Sequence, residues 1–307
     1  MRWGLDAGMV RRPVVKIAGG AAAETTDQVA VEEPLEIRVA GDPLAITMRT
    51  PGADRELALG FLHAEGVIHS LDDVGSVVHC GHPGDEGFGN VIDVLPGPGV
   101  VLAPEAIAGT RRGTLTSAAC GVCGRLSIDD LIDRCGPVTD EARIEATALS
   151  AMVTQMRERQ ALFARTGGVH AAALFRATNA PVEPGAARTP GRAEPVADPL
   201  AGPGADPIVR EDVGRHNAVD KVVGALIFAR ALPATRRVLV VSGRASFEIV
   251  QKAAVAGIPI VASVSAPSSL AIDLAARMNV TLVAFLRGAT LSVYTVARRV
   301  IVAPPEP

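Results

Sequence analysis

The residues best suited to chemistry in this chain are Cys120 and Cys123, in Ala119-Cys120-Gly121-Val122-Cys123-Gly124, with Arg111 and Arg112 before them and Arg125 after. The CxxC spacing brings two sulfurs together, glycines let the backbone turn tightly around them, and nearby guanidinium groups favour thiolate over thiol. Thiolate is the nucleophilic form, so the pair suits sulfur transfer. Two other chemistries use the same spacing. Joined by Cys80 and by His79 or His82, the pair would complete a tetrahedral zinc set, but a second paired ligand motif is missing and no resident metal is expected. A thioredoxin-like redox pair needs a strand of a βαβ unit leading straight into it, and none does so here. Cys80 and Cys135 are single and read as small, partly buried hydrophobes.

A second group of residues suits anion binding. His170 follows Thr166-Gly167-Gly168-Val169, where a ligand or backbone can approach closely, and Arg215, His216 and Lys221 stand in a polar block over residues 210–221 read as a helix start. Two hydroxyl-rich turns follow, Ser242-Gly243-Arg244-Ala245-Ser246 and Ser265-Ala266-Pro267-Ser268-Ser269. Each is read as a strand-to-helix turn, and amides at helix starts bind phosphate. Taken singly, these features are also explained by capping from Asp212, Asn217 or a serine and by solvated ion pairs. Together, His170, Arg215, His216, Lys221, Ser242, Arg244, Ser265 and Ser268 outline a pocket for a phosphorylated ligand at the ligand edge of an α/β sheet. The glycine fingerprints of dinucleotide dehydrogenases and P-loop enzymes are both absent.

The elements that must position these groups fall into two halves. Residues 1–24 read as a flexible leader. Residues 25–138 read as a small α+β domain ending with the CxxC loop. In it a hairpin over 28–38 and 44–49 turns at Gly41-Asp42, a helix runs from Asp54 to about Glu65, and strands cover 74–78 and 90–95. Residues 139–307 read as an α/β domain. It opens with a helix over 139–165 and continues with alternating strands (169–175, 238–241, 258–264, 280–286) and helices (217–229, 247–256, 270–278), which predicts a largely parallel sheet. Residues 178–207 carry seven prolines without apolar periodicity and read as a mobile surface insertion.

Composition narrows the function classes. Thirty basic against 33 acidic side chains give a net charge of -3, so no general nucleic-acid surface is expected. Four cysteines among 307 residues form no disulfide framework and point to a reducing compartment. Residues 1–20 lack the apolar core of a signal peptide, and later apolar runs fall short of the roughly 20 residues of a membrane span. A soluble, cytoplasmic protein is expected, with no membrane partner.

These blocks occur in an order that resembles the formate dehydrogenase accessory sulfurtransferases, the FdhD family. The resemblance rests on Arg49-Thr50-Pro51-Gly52 with Glu56-Leu57-Ala58-Leu59-Gly60-Phe61-Leu62, on the CxxC block, and on Thr166-Gly167-Gly168-Val169-His170-Ala171-Ala172. It continues through residues 211–221, Ser242-Gly243-Arg244, Ser246-Phe247-Glu248 and Ser265-Ala266-Pro267-Ser268-Ser269, spanning about residues 29 to 300. It implies a small amino-terminal domain joined to a cytidine deaminase-like three-layer α/β domain. It also implies a sulfurtransferase acting through a cysteine persulfide: a cysteine desulfurase loads sulfur, and the carrier passes it to the bis-molybdopterin guanine dinucleotide molybdenum cofactor before insertion into formate dehydrogenase. Cys120 matches the persulfide-bearing cysteine and Cys123 assists it. A late segment, Phe285-Leu286-Arg287-Gly288-Ala289-Thr290, matches the family's cofactor-binding stretch, where Arg287 can pair with a phosphate. A homodimer is left open. The chain departs from the family in the insertion at 178–207 and in a late loop poorer in charge.

Two rivals follow. A zinc deaminase needs His-x-Glu and, later, Pro-Cys-x-x-Cys. Here the cysteines precede His170, Ala119 stands in place of Pro, and Ala172 in place of the proton-shuttling Glu. The other rival is a chaperone that binds the molybdenum cofactor without moving sulfur.

Overall fold

The computed structural model describes residues 8–82, 88–102, 132, 135–177 and 206–302. The chain opens with a two-stranded antiparallel hairpin, β1 (Met9–Ala18) and β2 (Ala21–Ala30). This corrects the expected leader, of which residues 9–18 and 21–24 are paired in strand and 19–20 make the turn. The alternation there is weak because most of the hairpin is exposed on both faces, so burial imposes no period.

A four-stranded sheet follows in the order β4-β3-β6-β5, from β3 (Glu33–Val39), β4 (Asp42–Arg49), β5 (Val74–His79) and β6 (Val91–Pro96). The β3–β4 turn is Ala40-Gly41, both at positive φ, one residue earlier than expected. Helix α1 (Asp54–Ala64) covers this sheet and meets a helix of the second half, α4 (Arg215–Phe228). Two glycines permit the meeting. A Cβ on Gly60 would fall 1.9 Å from the carbonyl oxygen of Asp220, and one on Gly224 would fall 1.9 Å from that of Glu56. The helices therefore touch backbone to backbone, and Leu35, Leu57 and Ile92 join Val219, Val222 and Leu239 in one apolar core.

The second half is built on a six-stranded sheet in the order β13-β12-β11-β10-β8-β9. Its strands are β8 (His170–Arg176), β9 (Ile208–Asp212), β10 (Arg237–Val241), β11 (Ile260–Ser263), β12 (Thr281–Arg287) and β13 (Thr290–Val293). Alternate residues of β10 face opposite cores: Leu239 and Val241 lie under α4 and α5 (Phe247–Val255), Val238 and Val240 under α2 (Ala146–Glu158). Helix α6 (Ser269–Arg277) completes the former layer.

Three expectations change. Only the β10–β11 and β11–β12 pairings are parallel. β8 and β13 run antiparallel to the strands they pair with, and β9 is antiparallel to β8, so the sheet is mixed rather than largely parallel. The unit β9–α4–β10 is a crossover connection with β8 inserted in reverse between its strands. β9 itself was read as part of a helix start because it is short and charged. Its charges are satisfied from afar: Arg210 Nη2 donates to Glu56 at 2.7 Å, and Asp212 pairs with Lys221. The helix expected over 139–165 is split into β7 (Ile144–Glu145), α2 and α3 (Ala161–Thr166), with the break at Arg159-Gln160. At that break Glu211 of β9 accepts the backbone N–H groups of Leu162 (2.9 Å) and Phe163 (2.8 Å), a cap for α3 supplied by another strand. β14 (Val300–Ile301) pairs with β7.

Candidate functional site

Strands β9, β10, β11 and β12 all end where β8 begins, as their pairing requires. The turns that follow them, and His170, therefore lie along one edge of the sheet. Next to β8 this edge opens into a cavity of about 360 Å³ lined by Met156, Arg157, Gln160 and Phe163 from α2–α3 and by His170 and Ser242 from the sheet.

His170 lines the cavity, and Gly243 and Arg215 pack beside it. A Cβ on Gly243 would stand 3.3 Å from His170 Nδ1 and 3.4 Å from Arg215 Cδ, so the glycine admits both side chains. Burial, then the nearby positive charge of Arg215 and His216, holds the His170 imidazole below its usual range. At neutral pH it is an uncharged ring with one donor and one acceptor. Arg215 Nε is buried without a hydrogen-bond partner among the described residues. A buried donor left unpaired is costly, and an anionic ligand atom would satisfy it. The Ser242 hydroxyl is already used: it accepts the Ala171 N–H at 2.8 Å and pins the start of β8.

The remaining expected residues separate by what they touch. Lys221 is buried, with Nζ 2.6 Å from Asp212 Oδ2, 2.9 Å from the Thr50 carbonyl and 3.2 Å from the Glu211 carbonyl. Its three protons are all placed, so it locks the Thr50 loop onto β9 and offers nothing to a ligand. His216 joins Ser246 and Glu248. Arg244 is exposed, and Ser265 is engaged through its backbone, accepting Phe285 N–H at 3.1 Å. Ser268 caps α6 by accepting Ala271 N–H at 3.3 Å. Phe285, Leu286 and Arg287 end β12, Gly288-Ala289 make the turn, and Thr290 opens β13. Leu286 is buried in the core and cannot face a ligand, whereas Phe285, Arg287, Gly288, Ala289 and Thr290 are exposed. That hairpin lies three strands from His170, about 14 Å across the sheet at ~4.8 Å per strand.

Cys120 and Cys123, and the insertion over 178–205, lie outside the described residues. Cys80 is half-buried and Cys135 exposed. Among the described residues no group of three or more His, Cys, Asp or Glu is arranged to hold a metal ion, and no helix is long and apolar enough to cross a membrane.

Sequence reasoning passed over Gln160 and Phe163, which reach the cavity only because the helix breaks between α2 and α3, and it placed Glu211 in the polar block without its role as the cap of that break. Ser246 and Glu248 were visible in Ser246-Phe247-Glu248, but nothing local joins them to His216, thirty residues earlier.

The architecture is that of a mixed α/β protein with a cavity at the ends of its central strands. The same fold occurs in a crystal structure from Desulfotalea psychrophila, assigned as a candidate formate dehydrogenase accessory protein, with a TM-score of 0.67 and 23% identity over 95% of this chain and 99% of that one. The model of the FdhD/NarQ family matches residues 30–182 and 202–301, stepping over part of the Pro-rich stretch, and the chain belongs to this family. It is 49% identical to the sulfur carrier protein FdhD of Anaeromyxobacter dehalogenans, over 97% of this chain and 96% of that one. It is 45% identical to that of Streptomyces avermitilis (94% and 95% covered) and 47% identical to that of Mycobacterium tuberculosis (89% and 92%).

Proposed function

We propose that this chain is a cytoplasmic sulfur carrier. A cysteine desulfurase loads persulfide sulfur onto Cys120, Cys123 assists, and the sulfur passes to a bis-molybdopterin guanine dinucleotide molybdenum cofactor before its insertion into formate dehydrogenase. The observation that carries this reading is the near full-length identity to proteins described as sulfur carriers. The sheet edge beside the cavity supports it, since a cargo rich in phosphate suits the unpaired Arg215 Nε and the helix starts along that edge. The exposed β12–β13 hairpin with Arg287 is the second contact for so long a cargo. In this reading the second half is a cytidine deaminase-like domain that carries a cargo site without deaminase chemistry.

The test is intact-mass analysis after incubation with cysteine and a desulfurase. The expected result is a gain of one or more sulfur atoms that reductant removes and that Cys120→Ala does not acquire. A chaperone without sulfur transfer would gain no mass, and its Cys120→Ala and Cys123→Ala variants would still support formate dehydrogenase activity. Stoichiometric zinc bound through Cys120 and Cys123 would also overturn the reading.

A further inference from the structure

Going beyond sulfur transfer, we propose that Ser246, His216 and Glu248 form a nucleophilic relay that takes the acyl group of a small ester or thioester. His216 Nε2 lies 3.0 Å from Ser246 Oγ, and His216 Nδ1 lies 2.6 Å from Glu248 Oε2. The carboxylate fixes the tautomer: Nδ1–H donates to Glu248, which leaves Nε2 to accept the serine proton. Such triads are recognised by geometry and roles, whatever the chain order. The imidazole and the carboxylate are largely shielded from water, with side-chain exposures of 9% and 13%, while Ser246 is half-buried. Burial pushes the Glu248 carboxyl up, but the hydrogen bond from His216, with the positive charges of Lys252 and Arg215, outweighs it and keeps the group below its usual range, so it is ionised opposite the ring. The other titratable groups around the ring are Arg215 beside it, Lys252 paired with Asp220 at 2.7 Å, and His170, which is neutral.

Ser246 is the N-cap residue of the nine-residue helix α5, yet its side chain makes no capping bond. Its counterpart one strand over, Ser268, caps α6 in the ordinary way. The hydroxyl of Ser246 is instead turned to His216. The first-turn amides of α5 have no intrahelical acceptor, so they are available to an oxyanion forming beside Ser246.

In the proposed step Ser246 Oγ adds to the carbonyl carbon while its proton passes to His216 Nε2, and Glu248, a positioning residue, faces the imidazolium. The tetrahedral oxyanion collapses, the bond to the leaving oxygen or sulfur breaks, and the leaving group takes the proton from Nε2. Water, deprotonated by the same imidazole, then releases the acid from acyl-Ser246. No oxidant or reductant enters.

The test treats the full chain with a fluorophosphonate probe and, separately, with p-nitrophenyl acetate, read by intact mass and peptide mapping. One adduct on Ser246 is expected. Ser246→Ala should abolish it, His216→Ala should slow it about 100-fold or more, Glu248→Gln should slow it by about tenfold or more, and Ser268→Ala should leave it unchanged. A wild-type protein that acquires no adduct on Ser246 overturns the proposal, as does labelling whose rate ignores the His216 and Glu248 substitutions. Should circular dichroism show His216→Ala unfolded, Glu248→Gln decides by the same criterion. Sulfur loading on Cys120 is a separate readout, so this relay and the carrier reading stand or fall independently.

Discussion

Arg215 and Lys221 are six residues apart on helix α4, yet the structure treats their charges in opposite ways. Lys221 is closed in: Asp212, Thr50 and Glu211 take its three protons, and Asp212 in turn accepts Thr50 N–H (3.2 Å), Gly214 N–H (2.8 Å) and the Asn217 amide (3.0 Å). Arg215 is open: its Nε is buried with no described partner, close to the His170 imidazole that lines the cavity and is kept neutral. A buried polar cluster whose every donor is answered holds a fold together. One with an unanswered donor leaves room for a further acceptor. Charge density along the sequence cannot tell these apart, since both residues stand in the same block.

The largest effect should come from the closed cluster. Lys221→Met removes one partner of a buried ion pair and leaves Asp212 uncompensated, so unfolding in urea should reveal a loss of about 3–5 kcal/mol. A loss under about 1 kcal/mol would mean that the cluster is not closed. The open cluster should respond in the other currency. Arg215→Gln leaves no charge stranded, and its stability should stay within about 1 kcal/mol of wild type. The thermal shift produced by inorganic pyrophosphate should meanwhile weaken as affinity falls by roughly 10- to 100-fold, the worth of one charged hydrogen bond. An unchanged pyrophosphate response would remove Arg215 from the site.

The hydroxyl turns give a finer version of the same contrast. Ser268→Ala deletes a side-chain cap and should cost about 1 kcal/mol in thermal or urea unfolding. Ser246→Ala deletes a hydroxyl that caps nothing and should cost less. Equal losses would mean that Ser246 is an ordinary cap after all.

How much of this was legible in the sequence depends on the range of the interaction that fixes each element. Strand β4, helix α1 and the strands and helices from β10 to β12 follow from periodicity and caps within a dozen residues, and their expected positions agree with the structure to within a few residues, whereas the strand expected over 28–38 joins the end of β2 to β3 across the break at 31–32. β9 did not, because its identity as a strand depends on Glu56, α3 and Lys221, all distant in sequence, answering its charges. The reversed β8 did not, because strand direction is set by how the chain returns to the sheet and leaves no mark on composition. At the site, His170, Arg215 and the turn at Ser242 were legible as an edge of α/β type. The neutralised Lys221 and the inward Leu286 were not, since burial by a partner element is invisible to a local pattern.

The smallest and most local test concerns the charge state of His170. Burial, followed by the charges of Arg215 and His216, lowers its affinity for a proton, and Asp212 opposes them only weakly. The folded protein therefore binds fewer protons at this site than the unfolded chain, whose imidazole titrates near 6.5. Stability from this group is present above that pH and is lost as the pH falls below it. NMR titration should place the His170 ring below 6.5 in the wild type, and Arg215→Gln should move it upward, though not all the way, because burial is the larger cause and survives the substitution. If the ring already titrates at or above 6.5 in the wild type, it is solvated or paired, the wall of the cavity is not dry, and the distinction between the open and closed clusters on α4 loses its basis.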